Sequence, residues 1–309
     1  MLSVAVVGAT GAVGGVLRSI LRERGLDEVR YFASSRSAGA ELDGIRVEEA
    51  TPHALEAAGA DVAFFAVGAG ASRKLVPHAV RGGAVAIDKS SAWRMAPDVP
   101  LVVPEVNGER AAEHQGVIAV PNCSTIQLVC ALKPLHDAAR LRRVRVATYQ
   151  SVSGAGAAAV ERLRAETVED HDLRGDWDFD GEEFEEETKI REETRKILEL
   201  PGLPVQATCV RVPVLVGHLE AVWIETEAPL APEQARDILA AAPSVRIEEI
   251  PSPAKAAGID EVLVGRIRRD PTVENGLALT VAGDNLRKGA ALNAVQIAEL
   301  LVARPRVAA

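Results

Sequence analysis

Through the first half of the chain, short β-branched apolar runs alternate with longer stretches in which apolar residues recur every three or four positions. Ser3–Val7, Val29–Ala33, Asp61–Val67, Ala84–Asp88, Leu101–Val103 and Val117–Val120 read as buried strands, and Val13–Arg24, Ala71–Arg81 and Ser124–Ala139 as helices. Such alternation predicts an α/β domain with a doubly wound parallel sheet. After Leu141 the pattern changes. Val144–Gln150, Ala207–Val214, Ala221–Glu227, Val245–Glu249, Val262–Arg269 and Leu277–Val281 are strands with fewer crossover helices between them, which predicts a mixed or antiparallel sheet faced by helices. Asn285–Ala303 has helical spacing and is expected to form a long terminal helix.

Composition narrows the function classes. The chain has 309 residues, enough for two domains of ~100–200 residues each, and its 48% hydrophobic content rules out disorder as a whole. A net charge of −9 argues against nucleic acid or an anionic membrane as partner, and 3% aromatics leave little for base stacking. Cys123, Cys130 and Cys209 are too few and too scattered for a disulfide framework, so a reducing, cytoplasmic setting is expected. Met1–Val7 lacks the basic start and cleavage site of a signal peptide, and no apolar run approaches the ~18 residues of a membrane span. Asp176–Glu187 is almost continuously acidic; it reads as a solvated loop or helix start, with a regulatory or partner role as the alternative.

Val4–Val7 leads into Gly8-Ala9-Thr10-Gly11-Ala12-Val13-Gly14 and then a helical pattern. A strand, a glycine turn and a helix N-terminus make an anion site for a pyrophosphate, although the same pattern can be a plain strand-to-helix turn. Sites for NAD usually end the second strand with an acid that binds the ribose 2′-hydroxyl. Here that strand runs into Ser34-Ser35-Arg36-Ser37, where hydroxyls and a guanidinium suit a 2′-phosphate, so NADP is preferred. The Tyr-x-x-x-Lys pair of short-chain reductases is absent: four residues after Tyr31 and Tyr149 stand Ser35 and Ser153.

Pro121-Asn122-Cys123-Ser124-Thr125 puts a thiol where a predicted strand gives way to a helix. A helix N-terminus favours thiolate. Most lone cysteines are small core residues, and Cys130 and Cys209 read that way; the break after Pro-Asn, where a side chain can face a cleft, singles out Cys123. A thiol of pKa ~8.5 is about 3% thiolate at neutral pH, and one of ~6.5 about 75%. The accompanying loss of nucleophilicity leaves a net gain of only about threefold. Positioning of the electrophile and stabilisation of its charge must supply more. Among His53, His78, His114, His136, His171 and His218 no pair has metal-ligand spacing on a helix, so no metal is expected. His218 follows a strand broken by Pro213 and Gly217, and that strand carries Arg211, costly to bury unless it meets an anion: a substrate, or a nearby structural carboxylate.

The stretches GATGAVG, FASSRSAG, DKSSAWRM, DVPLVVPEVN, VPNCSTIQL, ATYQSVSGAG, ETRKIL, ATCVRVPVLVGH and DNLRKGAALNAVQIAE, in this order, closely resemble the aspartate-semialdehyde dehydrogenase family. The resemblance implies a Rossmann-like NADP-binding domain over 1–122, completed by a C-terminal helix over 285–309, and an α+β catalytic and dimerisation domain with a mixed sheet over 123–284. It implies NADPH-dependent reductive dephosphorylation of L-aspartyl 4-phosphate to L-aspartate 4-semialdehyde, a step toward lysine, threonine and methionine, in a homodimer or higher homo-oligomer. By the same resemblance Cys123 is the nucleophile that forms an acyl-thioester, His218 the acid/base, and Gln150 the residue orienting the acyl group. Arg211 would take the substrate α-carboxylate and Glu193 its ammonium, while Arg94, Asn122 and Lys196 would hold phosphate. Gly8, Thr10, Gly11, Ala12, Val13, Gly14, Ser35, Arg36 and Ser37 would hold the dinucleotide, with Ser153, Gly154 and Asn285 near its nicotinamide end. The chain departs from the family between Gln150 and Lys196, where the short acidic run replaces a longer insert that contributes to the dimer contact. Two alternatives stand: another acyl-phosphate reductase, such as one acting on N-acetyl-glutamyl phosphate, and a catalytically silent homologue, which the presence of both thiol and histidine disfavours.

Overall fold

The structure, a computed structural model, describes residues 2–303. The chain divides into two compact units, one running to Pro121 and taking in the chain from Ala290 onward, the other Asn122–Gly289. Residues 304–309, assigned above to the nucleotide-binding domain, lie outside the described residues.

The strands of the first unit are β1 (Val4–Val7), β2 (Val29–Ala33), β3 (Glu41–Leu42), β4 (Ile45–Arg46), β5 (Glu48–Glu49), β6 (Val62–Phe65), β7 (Val85–Asp88) and β8 (Val117–Ala119). β3 and β4 pair with each other; the rest form one sheet in the order β5-β2-β1-β6-β7-β8, parallel throughout. Every residue of β1 and β6 is buried, as parallel strands covered on both faces require. Helices α1 (Ala12–Glu23), α2 (Pro52–Glu56), α3 (Ala69–Arg81) and α4 (Pro104–Asn107) complete the windings. The chain leaves β1 for β2 on one side and returns to β6 on the other, so the glycine turn after β1 lies at the switch point where open α/β sheets bind ligands. Leu101–Val103, expected as a strand, supplies only an isolated bridge from Leu101 to Ala119, because Pro104 turns the chain into α4.

The second unit is built on a mixed sheet in the order β10-β9-β11-β14-β13-β12. Its strands are β9 (Leu141–Gln150), β10 (Val205–Arg211), β11 (His218–Thr226), β12 (Val245–Ile247), β13 (Val262–Asp270) and β14 (Gly276–Gly283). Buried and half-buried residues alternate along all of β11, the mark of a sheet with one covered face. The long helix α5 (Cys123–Ala139) packs against β9, β11, β13 and β14; α6 (Ala157–Ala165), α7 (Glu185–Leu198), α8 (Pro232–Ala240) and α9 (Pro253–Ala256) make up the rest, with α7 against α5 and β10.

The segment predicted as one helix from Asn285 begins differently. It opens as a π-helix over Arg287–Leu292 and becomes α10 (Asn293–Ala303) only afterwards. This wider coil brings Gly289 against Cys123: a Cβ on Gly289 would lie 2.9 Å from the cysteine Cβ.

Candidate active site

The mixed sheet lines up the central side chains. Arg211 pairs with Gln150 across β10 and β9, Leu219 with Tyr149 across β11 and β9, and His218 with Gly283 across β11 and β14. Arg211, Gln150 and His218 therefore form one row at one end of the sheet, all buried on the face that carries α5. Asn122 caps that helix, its Oδ1 accepting the Ser124 N–H at 2.8 Å, so Cys123 is the first helical residue.

Cys123 is partly exposed, and its Sγ lies 3.2 Å from Nε2 of His218. The Ser151 backbone N–H donates to Nδ1 of that histidine at 3.0 Å. Nδ1 is thus the acceptor, and the proton of the neutral ring sits on Nε2, toward the sulfur. Burial, reinforced by the charge of Arg211, pushes the imidazole pKa down to about 3, so the ring is neutral at physiological pH. Asn285 holds the other side: its Oδ1 accepts from Ser151 Oγ at 3.0 Å and from the Gly217 N–H at 2.9 Å, and its Nδ2 donates to Ser153 Oγ at 2.9 Å. A Cβ on Gly154 would stand 3.3 Å from Arg211 Nη1 and 3.5 Å from His218 Nε2, so glycine keeps space open beside both.

Gln150 is fixed at both ends, accepting from Thr148 Oγ1 at 3.0 Å and donating from Nε2 to Glu186 Oε1 at 2.9 Å. The same Glu186 oxygen accepts from Asn122 Nδ2 at 2.8 Å. Glu193 accepts the Asn122 backbone N–H at 2.6 Å. Lys196 follows in the last turn of α7, half-buried, with burial lowering its ammonium pKa. Asn122, Gln150 and Glu193 are thus set into one buried network, in which Glu186 and Thr148 went unnoticed in the sequence.

The acidic run is a largely exposed loop leading into a helix start, as its composition suggested, but both of its ends are engaged. Glu186 and Glu187 are buried in the first turn of α7, where carboxylates suit the helix dipole, and Glu187 accepts the Cys209 N–H at 2.8 Å. At its start, Asp176 pairs with Arg211, Oδ1 to Nη2 at 3.0 Å, and the Trp177 ring lies 4.4 Å beneath the guanidinium. Of the two anions the sequence left open for Arg211, the structural carboxylate is therefore present.

In the first unit, Gly8 takes φ +90°, and a Cβ there would meet the Ala66 carbonyl oxygen at 2.4 Å; one on Gly14 would meet that of Gly8 at 2.2 Å. Only glycine lets α1 sit so close to β1, and Gly11, its N-cap, places no side chain over the first-turn amides of Ala12 and Val13. Thr10 lies in the same turn. Ser35 and Arg36 are exposed and Ser37 half-buried in the turn after β2, and Arg36 has no acidic partner among the described residues. These features fit a nicotinamide dinucleotide. Arg94 is buried, held by the carbonyls of Val120 at 3.0 Å and Lys89 at 2.7 Å.

The family described as semialdehyde dehydrogenase, NAD binding domain, matches residues 3–114; that described as semialdehyde dehydrogenase, dimerisation domain, matches 132–177 and 174–288, two pieces that meet at the segment carrying Asp176. The chain is 47% identical to the aspartate-semialdehyde dehydrogenase of Streptomyces akiyoshiensis, over 98% of this chain and 99% of that one. It is similar to the crystal structure of aspartate semialdehyde dehydrogenase II of Vibrio cholerae complexed with ASA (TM-score 0.92, 41% identity, 98% of each chain). It is also similar to the Candida albicans enzyme solved with NADP (TM-score 0.77, 26% identity, 98% and 99% covered). The chain belongs to the aspartate-semialdehyde dehydrogenase family.

Proposed function

We propose that this chain converts L-aspartyl 4-phosphate and NADPH to L-aspartate 4-semialdehyde, NADP and phosphate. The observation that carries the reading is Cys123 Sγ at 3.2 Å from the histidine that shares its sheet row with Gln150 and Arg211. The sulfur attacks the acyl carbon, the carbon–oxygen bond to phosphate breaks, the thiol proton departs with the phosphate, and a thioester forms on Cys123. When bound, NADPH supplies the hydride. The Nε2–H of His218 faces the sulfur and is placed to hydrogen-bond the oxyanion that forms beside it; a proton relayed from solvent through this ring completes the thiohemiacetal, whose collapse passes its hydroxyl proton to the sulfur and frees the aldehyde. Gln150, immobilised by Thr148 and Glu186, orients the acyl group.

Arg211 is read as the fork for the α-carboxylate and Glu193 as the ammonium partner; Arg94, Asn122 and Lys196 are read as the phosphate ligands. The preference for NADP rests on Arg36 with its flanking serines, and is supported by the Candida relative described with that cofactor. The match to a dimerisation domain supports assembly with a second copy, read here as a homodimer. No helix among the described residues is long and apolar enough to cross a membrane; a cytoplasmic location is part of the proposal. The test is phosphate-dependent reduction of NADP by aspartate semialdehyde with the purified protein. Turnover of N-acetyl-glutamate semialdehyde in its place would move the chain to the other class of acyl-phosphate reductase.

A further inference from the structure

We propose that Asp176 is a built-in competitor for the substrate carboxylate and so sets how strongly the site selects an α-amino acid. The inference rests on the reading of Arg211 as the carboxylate fork.

The geometry is that of a ligand. The edge of Arg211 formed by Nε and Nη2 is filled by Asp176, with Oδ1 at 3.2 and 3.0 Å and Oδ2 at 3.3 Å from Nε. Nη1 is turned away to the Ser151 carbonyl at 3.0 Å. The Trp177 ring covers one face of the guanidinium. A carboxylate pairing side-on with an arginine over an aromatic floor is what a recognised amino acid would present.

The residue that does this belongs to a segment joined only lightly to the sheet. Arg174 and Arg211 exchange backbone hydrogen bonds at 3.0 and 2.7 Å, an isolated bridge on β10, which is the edge strand. The Asp176 side chain keeps 25% of its surface in solvent, against 5% for Arg211. The arginine belongs to the buried row and the aspartate to its outer cover. An incoming carboxylate can reach the Nε/Nη2 edge only by exchange with Asp176, and until then the arginine charge is already balanced. A substrate with a carboxylate gains less from Arg211 than it otherwise would, whereas an aldehyde without one loses nothing.

Removing the competitor should sharpen both affinity and selectivity. Asp176→Ala and Asp176→Asn are each expected to lower KM for aspartate semialdehyde by about three- to tenfold, the reach of one partly exposed ion pair. The kcat/KM ratio of aspartate semialdehyde over 3-aminopropanal, which lacks the carboxylate, should widen by a similar factor. An unchanged or raised KM in folded Asp176→Asn would overturn the proposal and make Asp176 a support that holds Arg211 in place. Arg211→Lys separates this from the underlying reading. It keeps the charge but loses the fork, so it should raise KM for aspartate semialdehyde and leave that for 3-aminopropanal unmoved. Equal effects on both aldehydes would remove Arg211 from carboxylate recognition, and the competitor with it.

Discussion

The backbone amide of Ser151 donates to Nδ1 of His218 at 3.0 Å and thereby decides which nitrogen faces the sulfur of Cys123. A backbone donor cannot rotate away or reverse its role as a hydroxyl could. It commits the ring to Nε2–H and opposes a second proton on Nδ1. The arrangement favours a histidine that donates a hydrogen bond to the reacting oxygen over one that begins by taking a proton from the thiol.

The low imidazole pKa has a measurable consequence for stability. Between the ordinary value of 6.5 and about 3, the unfolded chain binds a proton at this position that the folded chain does not. Stability is therefore lost as pH falls through that window, with a slope of up to about 1.4 kcal/mol per pH unit from this group alone. Urea unfolding across the window should show a shallower acid loss for His218→Asn than for the parent. Identical slopes would mean that the ring is already charged in the folded protein.

Glu220 predicts the opposite sign. It lies two residues along β11 from His218, fully buried, with Gln127 of α5 as the neighbour favouring its charge. Burial raises its pKa well above 4.5, so it is held neutral while the unfolded chain ionises it, and stability is lost as pH rises above that value. Glu220→Gln should raise the melting temperature at mildly alkaline pH by several degrees, with the gain shrinking toward pH ~4. A drop at alkaline pH would show that the carboxylate is charged and paired.

Cys123→Ser should reduce turnover by at least about a thousandfold, because an alcohol has almost no anion at neutral pH, while NADPH affinity stays within twofold. Steady-state rates with fluorescence titration of NADPH check both. Substantial retained turnover would take the nucleophile's role from Cys123.

Arg36→Ala should weaken NADPH by about tenfold or more and NADH little, since only NADPH carries the phosphate that a guanidinium grips bidentately. Titration of both cofactors tests this, and equal losses would return the cofactor preference to the open state.

The parallel sheet was legible because fully apolar strands such as Val4–Val7 carry their signal in the local pattern. The covered face of β11 was not, because His218, Glu220 and Thr226 are buried on it while Leu219 and Trp223 are only half-buried. Other features have no local signature. Leu101–Val103 has strand composition, yet Pro104 ends it before a ladder forms. The π-helix at Arg287–Leu292 preserves an apolar rhythm that reads as an ordinary helix. Cys123 could be singled out from a helix start. The inward turn of Glu186 could not, because among so many acids nothing marks the one that bridges Asn122 and Gln150. The pairing of Asp176 with Arg211, between residues 35 positions apart, becomes visible only when the acidic segment folds over β10.

Arg211, Gln150 and His218 come from three strands, so their meeting depends on how those strands are threaded together. A slip of a single residue between neighbours would turn one of the three to the far side of the sheet. Turnover is then a more demanding witness of correct assembly than spectroscopic β content: a misthreaded protein could look folded in bulk and still be inert.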